Sequence, residues 1–164
     1  MIKYVEIINE ETGLVNVGLG DNTEFYIEQG MIELDVQKSD VDGLWYLSEK
    51  CPMKSDEQKE QEEKERIAKL YLTGADVERG IYQAKGMDFD DIVALVTQMQ
   101  PQGLDIKALK IELKANNFYR GNPYVNAIGQ LLGFTKEQLD KFFETNDYRV
   151  LLPKEETEVN GEIS

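Results

Sequence analysis

The chain has 164 residues, 41% of them hydrophobic, which is enough to bury a core in one domain or two small ones and too many for an acidic chain that stays unfolded. Its 18 Lys and Arg stand against 32 Asp and Glu, a net charge of −14 that disfavours phosphate-held nucleic-acid binding and docking on an anionic membrane, since both need clustered cations. There is no histidine, so the commonest general base, the commonest zinc ligand and the Ser-His and Cys-His nucleophile pairs are all missing, and the lone Cys51 can form neither an internal disulfide nor a paired-cysteine metal site.

Ile2 to Ile8 is rich in β-branched and aromatic residues, Asn9 to Gly13 is turn chemistry, and Leu14 to Leu19 resumes the pattern, which predicts a β-hairpin. Asp21-Asn22-Thr23 offers a helix cap before Glu24 to Gln29, with Gly30 as the left-handed stop of a short helix. Ile32, Leu34 and Val36 alternate with polar residues, Ser39 to Gly43 turns, and Leu44 to Leu47 returns as a second hairpin. Residues 1–53 thus read as a small ββαββ module holding 11 acids and 3 bases, which makes it the main seat of the acidity.

Composition changes after Pro52. Lys54 to Glu65 alternates Glu and Lys at helical spacing without large apolar residues, Ser55 and Gln58 have the capping-box spacing, and Glu60–Lys64 and Glu62–Arg66 are four apart. Residues 54–72 are therefore expected to form a charged linker helix whose first half faces solvent. From there the expectation is an all-helical bundle of short helices over 73–152, with caps at Thr73, Asp88, Asp105, Asn122 and Thr135 and stops near Gly86, Pro101, Gly121 and Gly133. Its core faces are read as Val77, Ile81 and Ala84, then Phe89, Ile92, Val93, Leu95 and Val96, then Ile106, Leu109, Ile111 and Leu113, closed by Leu131, Leu132, Phe134, Leu139, Phe142 and Phe143. Residues 153–164 carry four Glu and are expected to be a disordered acidic tail. The fold class is α+β: an N-terminal β-rich module, a linker helix and a helical C-terminal domain.

Asp88, Asp90 and Asp91 lack the spaced oxygens, glycine turn and closing Glu of a calcium loop, and read instead as acids in a first helical turn. Gly18-Leu19-Gly20 lacks the third glycine of a dinucleotide fingerprint, and no phosphate-loop Gly-Lys-Ser or Gly-Lys-Thr occurs, so no cofactor or metal is expected. Lys107, Lys110 and Lys114 share one helix face, with Arg120 nearby, and read as a solvated face opposite Ile106, Leu109 and Leu113 rather than a nucleic-acid contact. Trp45 and Tyr46, adjacent on a strand, point to opposite faces, so one is expected in the core and the other exposed as an interaction hot spot. In Phe118 to Pro123, Phe118 is expected to staple the turn while Arg120 bonds helix-end carbonyls. The candidate partner-binding residues are Tyr26, Trp45, Tyr46, Tyr119 and Arg120, and no catalytic residue is assigned. Paired carboxylates of the glycosidase kind would be the remaining route to an enzyme, and no such motif is visible.

Glu24 to Met31, Asp35-Val36, Asp42 to Leu47 and Pro52 resemble small proteins encoded in the tail modules of tailed phages and prophages of Gram-positive bacteria, and the later Arg120 to Pro123 and Gln138 to Phe143 are similar to their helical ends. The arrangement of β domain, charged linker and helical end is similar to that of tail-fibre assembly proteins. The resemblance covers the first third well and implies a non-enzymatic adaptor, chaperone-like factor or minor tail component with a protein partner and a capacity for self-association. The other class considered is an anti-defence inhibitor whose acidic module mimics nucleic acid and fills a basic groove of a host nuclease complex. Either would work in the bacterial cytoplasm, or in the virion for a tail component. With no long apolar run, neither a signal peptide nor a membrane span is expected, and direct nucleic-acid contact is not.

Overall fold

The structure is a computed structural model that describes residues 1–154. Of the acidic tail expected over 153–164, Pro153 and Lys154 are exposed and the rest lies outside the described residues. The fold is mixed α and β, and the chain divides into two compact units, Met1–Gln61 and Glu62 onward.

The first unit contains β1 (Ile2–Asn9), β2 (Leu14–Val17), α1 (Thr23–Glu28), β3 (Ile32–Lys38) and β4 (Trp45–Leu47). The strands do more than form two hairpins: β1 also pairs with β3 and β2 with β4, all antiparallel, so the sheet closes into a barrel of order β1-β2-β4-β3. Closure leaves no strand edge open to another chain. Val5 lies opposite both Val17 and Ile32, and Val15 opposite Trp45, so the inward residues of each strand meet as a core of Val5, Val15, Val17 and Val36.

Helix α1 buries none of its residues fully and is seated through Tyr26. A Cβ at Gly18 would stand 2.6 Å from the Tyr26 ring, so only glycine lets that ring approach the β2 end, and the Gly20 N–H donates to the Tyr26 hydroxyl at 2.5 Å. The ring also stacks on Tyr4, with centroids 6.0 Å apart.

The expectation that one of Trp45 and Tyr46 is exposed is corrected. Trp45 packs half-buried against the valines, and Tyr46, although on the outer side of the strand, is buried as well. Its hydroxyl donates to Asp42 Oδ2 at 2.7 Å, while Asp42 Oδ1 accepts from the Leu44 N–H at 2.9 Å. These two donors hold the Asp42 carboxyl below its ordinary value of 3.8, the backbone bond most, and the same carboxylate pushes the Tyr46 phenol up. The turn thus uses an outer tyrosine as a strut.

Helix α2 (Asp56–Ala68) begins with a reciprocal cap: the Gln58 N–H donates to Ser55 Oγ and the Ser55 N–H to Gln58 Oε1. None of its residues is buried, and the division between units falls within it. Helical structure does not continue to residue 72, because Leu70 packs against the second core and Tyr71–Thr73 is strand.

The second unit holds β5 (Tyr71–Thr73), α3 (Gly74–Lys85), α4 (Phe89–Met99), α5 (Ile106–Glu112), β6 (Asn117–Tyr119), α6 (Pro123–Leu131) and α7 (Lys136–Thr145), followed by a 3-10 turn at Tyr148–Leu151. Thr73, Asp88, Asp105, Asn122 and Thr135 each accept a backbone N–H as the cap of their helix. Asp88 and Asp91 cap each other reciprocally, which accounts for the Asp88-Asp90-Asp91 cluster, and among the described residues no group of three His, Cys, Asp or Glu is placed to hold a metal.

Two expectations for this unit are corrected. It is not all-helical, since β5 and β6 pair as an antiparallel ribbon, and Gly121 therefore follows a strand rather than stopping a helix. Ile111 leaves the core face: at about 100° per residue it lies some 160° around α5 from Leu109, and it is 69% exposed. Sixteen buried residues form the core, from Leu72 on β5 to Leu151 in the last turn, with Phe142 among the largest fully buried side chains. Gly80 admits the Phe142 ring, whose Cζ would stand 2.3 Å from an added Cβ. Among the described residues no helix is long and apolar enough to cross a membrane.

Candidate partner-binding surface

The β5–β6 ribbon is three residues long on each strand, and its register sets Tyr71 opposite Tyr119, Leu72 opposite Phe118 and Thr73 opposite Asn117. Alternation then sorts the faces. Leu72 and Phe118 enter the core, where Phe118 meets the Phe89 ring at 5.6 Å between centroids. Tyr71 and Tyr119 face outward, their rings 5.8 Å apart, and stay 57% and 52% exposed. Two large apolar rings with polar tips are thereby presented side by side on a surface whose backbone is fixed.

Several bonds fix it. The Gly74 N–H donates to the Asn116 carbonyl at 2.8 Å, the Arg120 N–H to the Leu70 carbonyl at 2.8 Å and the Gly121 N–H to the Ala68 carbonyl at 3.1 Å, extending the pairing past both ends of the ribbon. Arg120 then turns inward and is 4% exposed. Its Nη1 donates to Asn126 Oδ1 of α6 at 2.6 Å, its Nη2 to the Lys136 carbonyl of α7 at 3.4 Å, and its Nε faces Asp140 Oδ1 at 2.7 Å. Nε and Oδ1 have only each other, close but out of line for a good hydrogen bond, so the attraction there is mainly that of opposite charges, both atoms being shielded from solvent. One guanidinium ties the ribbon to both helices. It also contributes to an open groove of about 610 Å³ whose walls include Ile67, Ala68, Asn126, Phe134 and Asp140.

The candidate residues read from sequence are distributed over both units. Tyr26 is half-buried against Gly18 and Tyr4, and Trp45 and Tyr46 are built into the barrel. Tyr119 and Arg120 share the ribbon but project to opposite sides, one outward and the other into the helices. The partner of Tyr119 that sequence reading missed is Tyr71, which lies 48 positions earlier and meets it only through strand register. The one local signal for it was the β-favouring Tyr71-Leu72-Thr73 between a charged helix and the Thr73 cap. No protein-family model, curated protein or solved structure matches the chain.

Proposed function

We propose that this chain is a non-enzymatic protein of a tailed phage or prophage of Gram-positive bacteria, acting in tail or tail-fibre assembly as an adaptor, a chaperone-like factor or a minor tail component. The source rests on the resemblance carried by Glu24 to Met31 and Asp42 to Leu47. The binding role rests on one observation, the Tyr71–Tyr119 pair held outward on a ribbon that Arg120 fastens from below. Tyrosine supplies large contact area at small entropic cost, and such anchors dominate protein interfaces. The partner is a protein, neither nucleic acid nor membrane, met in the host cytoplasm and retained in the virion if the chain is a tail component.

The anti-defence reading draws on residues 4–37, which hold eight acids and no Lys or Arg. Against a free stripe of mimic charges, Asp35 of that set pairs with the Met1 ammonium, and the two acids that follow the span are tied as well, Asp40 by the Lys54 N–H at 2.8 Å and by Lys59, and Asp42 by Leu44 and Tyr46. A pull-down from infected or prophage-induced lysate, at low and high salt, separates the two. The proposal expects a tail or fibre protein that stays bound in high salt and falls about tenfold or more with Y71A/Y119A. Recovery of a host nuclease that salt or added DNA displaces, untouched by Y71A/Y119A, overturns it.

A further inference from the structure

Two exposed surfaces outside the ribbon complement each other. On α1 the inward residue is Tyr26, so at about 100° per residue Glu24 and Glu28 occupy the outward side and Phe25 and Ile27 its two flanks. The flanks are 50% and 58% exposed, and no Lys or Arg lies between Tyr4 and Gln37 to neutralise the acids. On α5 and the turn that follows it, Leu109 and Leu113 are buried, while Lys107, Lys110, Ile111 and Lys114 are exposed. An apolar residue in water within a triad of lysines is the inverse of two apolar residues in water beside a ridge of carboxylates.

We propose that a second copy of this chain occupies each surface, α1 of one copy docking on α5 of another. Ile111 packs against one of the two apolar flanks of α1, beside which Glu24 and Glu28 meet the lysines. Because the two surfaces differ, the contact is made twice in a two-fold dimer or once per copy in a head-to-tail ring or string. A six-residue helix offers little area, and copies of net charge −14 repel at long range, so association is weak and depends on contacts inside the Debye length, about 8 Å at physiological salt. The inference does not rest on the phage reading, since a monomer would still offer Tyr71 and Tyr119 to a tail protein.

Sedimentation equilibrium of the full chain, from about 10 to 500 µM, tests it. The weight-average mass is expected to rise with concentration and, from physiological ionic strength upward, where the long-range repulsion is already screened, to fall back as salt is added. E24K/E28K and K107E/K110E should each be monomeric, because each sets like charges against like, while an equimolar mixture should associate again through alternating copies. Both variants remain net negative, so general attraction between them does not explain recovery. F25S/I27S should weaken association about tenfold with the charges intact. A wild type that stays monomeric at the highest concentration, swapped variants that associate separately, or a mixture that does not recover each overturn the proposal. Far-UV circular dichroism of every variant excludes unfolding as the cause.

Discussion

The barrel and the helical unit meet the same requirement by different means. Four buried valines fill the barrel, whereas sixteen residues fill the helical unit, several of them phenylalanines. Ladder bonds around a closed sheet, the Tyr26 strut against Gly18 and the Asp42 turn therefore carry more of its specification. The helical unit packs four times as many side chains into its core and sets the Arg120–Asp140 ion pair where a ribbon must be anchored. The lesson is that damage to the two should have different signatures, loss of volume in one and loss of particular hydrogen bonds in the other.

The largest effect is expected from Phe142→Ala. It removes a fully buried ring that Gly80 was shaped to admit, and about 3–5 kcal/mol of stability with it. Trp45 is the only tryptophan and sits in the barrel, so its fluorescence follows the first unit in a urea titration while far-UV circular dichroism follows mainly the helices. The dichroism midpoint should fall and the Trp45 midpoint should hold. Equal shifts in both would break the comparison by making the two cores one cooperative whole.

Next in size is the clamp. Arg120→Met should cost about 3 kcal/mol, because it strands the Asp140 carboxylate and leaves Asn126 and the Lys136 carbonyl without their donor. R120M/D140L should recover much of that, since replacing both members of a buried pair by apolar groups is far milder than removing one. Denaturant midpoints of the two variants measure the difference. A double variant no better than the single one would show that the Asn126 and Lys136 bonds, rather than the charge pair, hold the ribbon.

Local chemistry was legible in the sequence and long-range pairing was not. The five helix caps and the Ser55–Gln58 box were readable because a cap and the N–H that donates to it lie within three residues of each other. The β5–β6 ribbon left no such mark: three residues are too few to show a period, and its two strands are separated by α3, α4 and α5. Barrel closure was hidden in the same way, since either hairpin reads identically whether or not β1 goes on to pair with β3. Arg120 was read as a partner-binding residue that bonds helix-end carbonyls, but it is buried, and its partners Asn126, Lys136 and Asp140 come from two helices that only the fold brings to it. Ile111 was placed on the core face because apolar residues two apart on a short helix look periodic until the angle between them is counted.

The smallest effect belongs to the barrel and turns on pH. Asp42 has a folded value below 3.8, held there first by the Leu44 N–H and then by the Tyr46 hydroxyl, and Asp40 is lowered in the same way, first by the Lys54 N–H and then by Lys59. A depressed folded value means that the unfolded chain binds the proton more readily. The contribution of each carboxylate is therefore complete above the ordinary carboxylate range and disappears as pH falls through the lowered folded value. Asp42→Asn removes one of these contributions at every pH. The Trp45 urea midpoint of the variant should lie below that of the wild type near pH 6–7, and the gap should narrow steadily once pH falls below about 4. Tyr46→Phe should behave the same way with a smaller gap, because it removes only the second of the two donors to Asp42. A gap that persists unchanged into acid would mean that the Asp42 carboxyl and the Tyr46 ring hold the turn by hydrogen bonds and packing that do not depend on the carboxyl's charge.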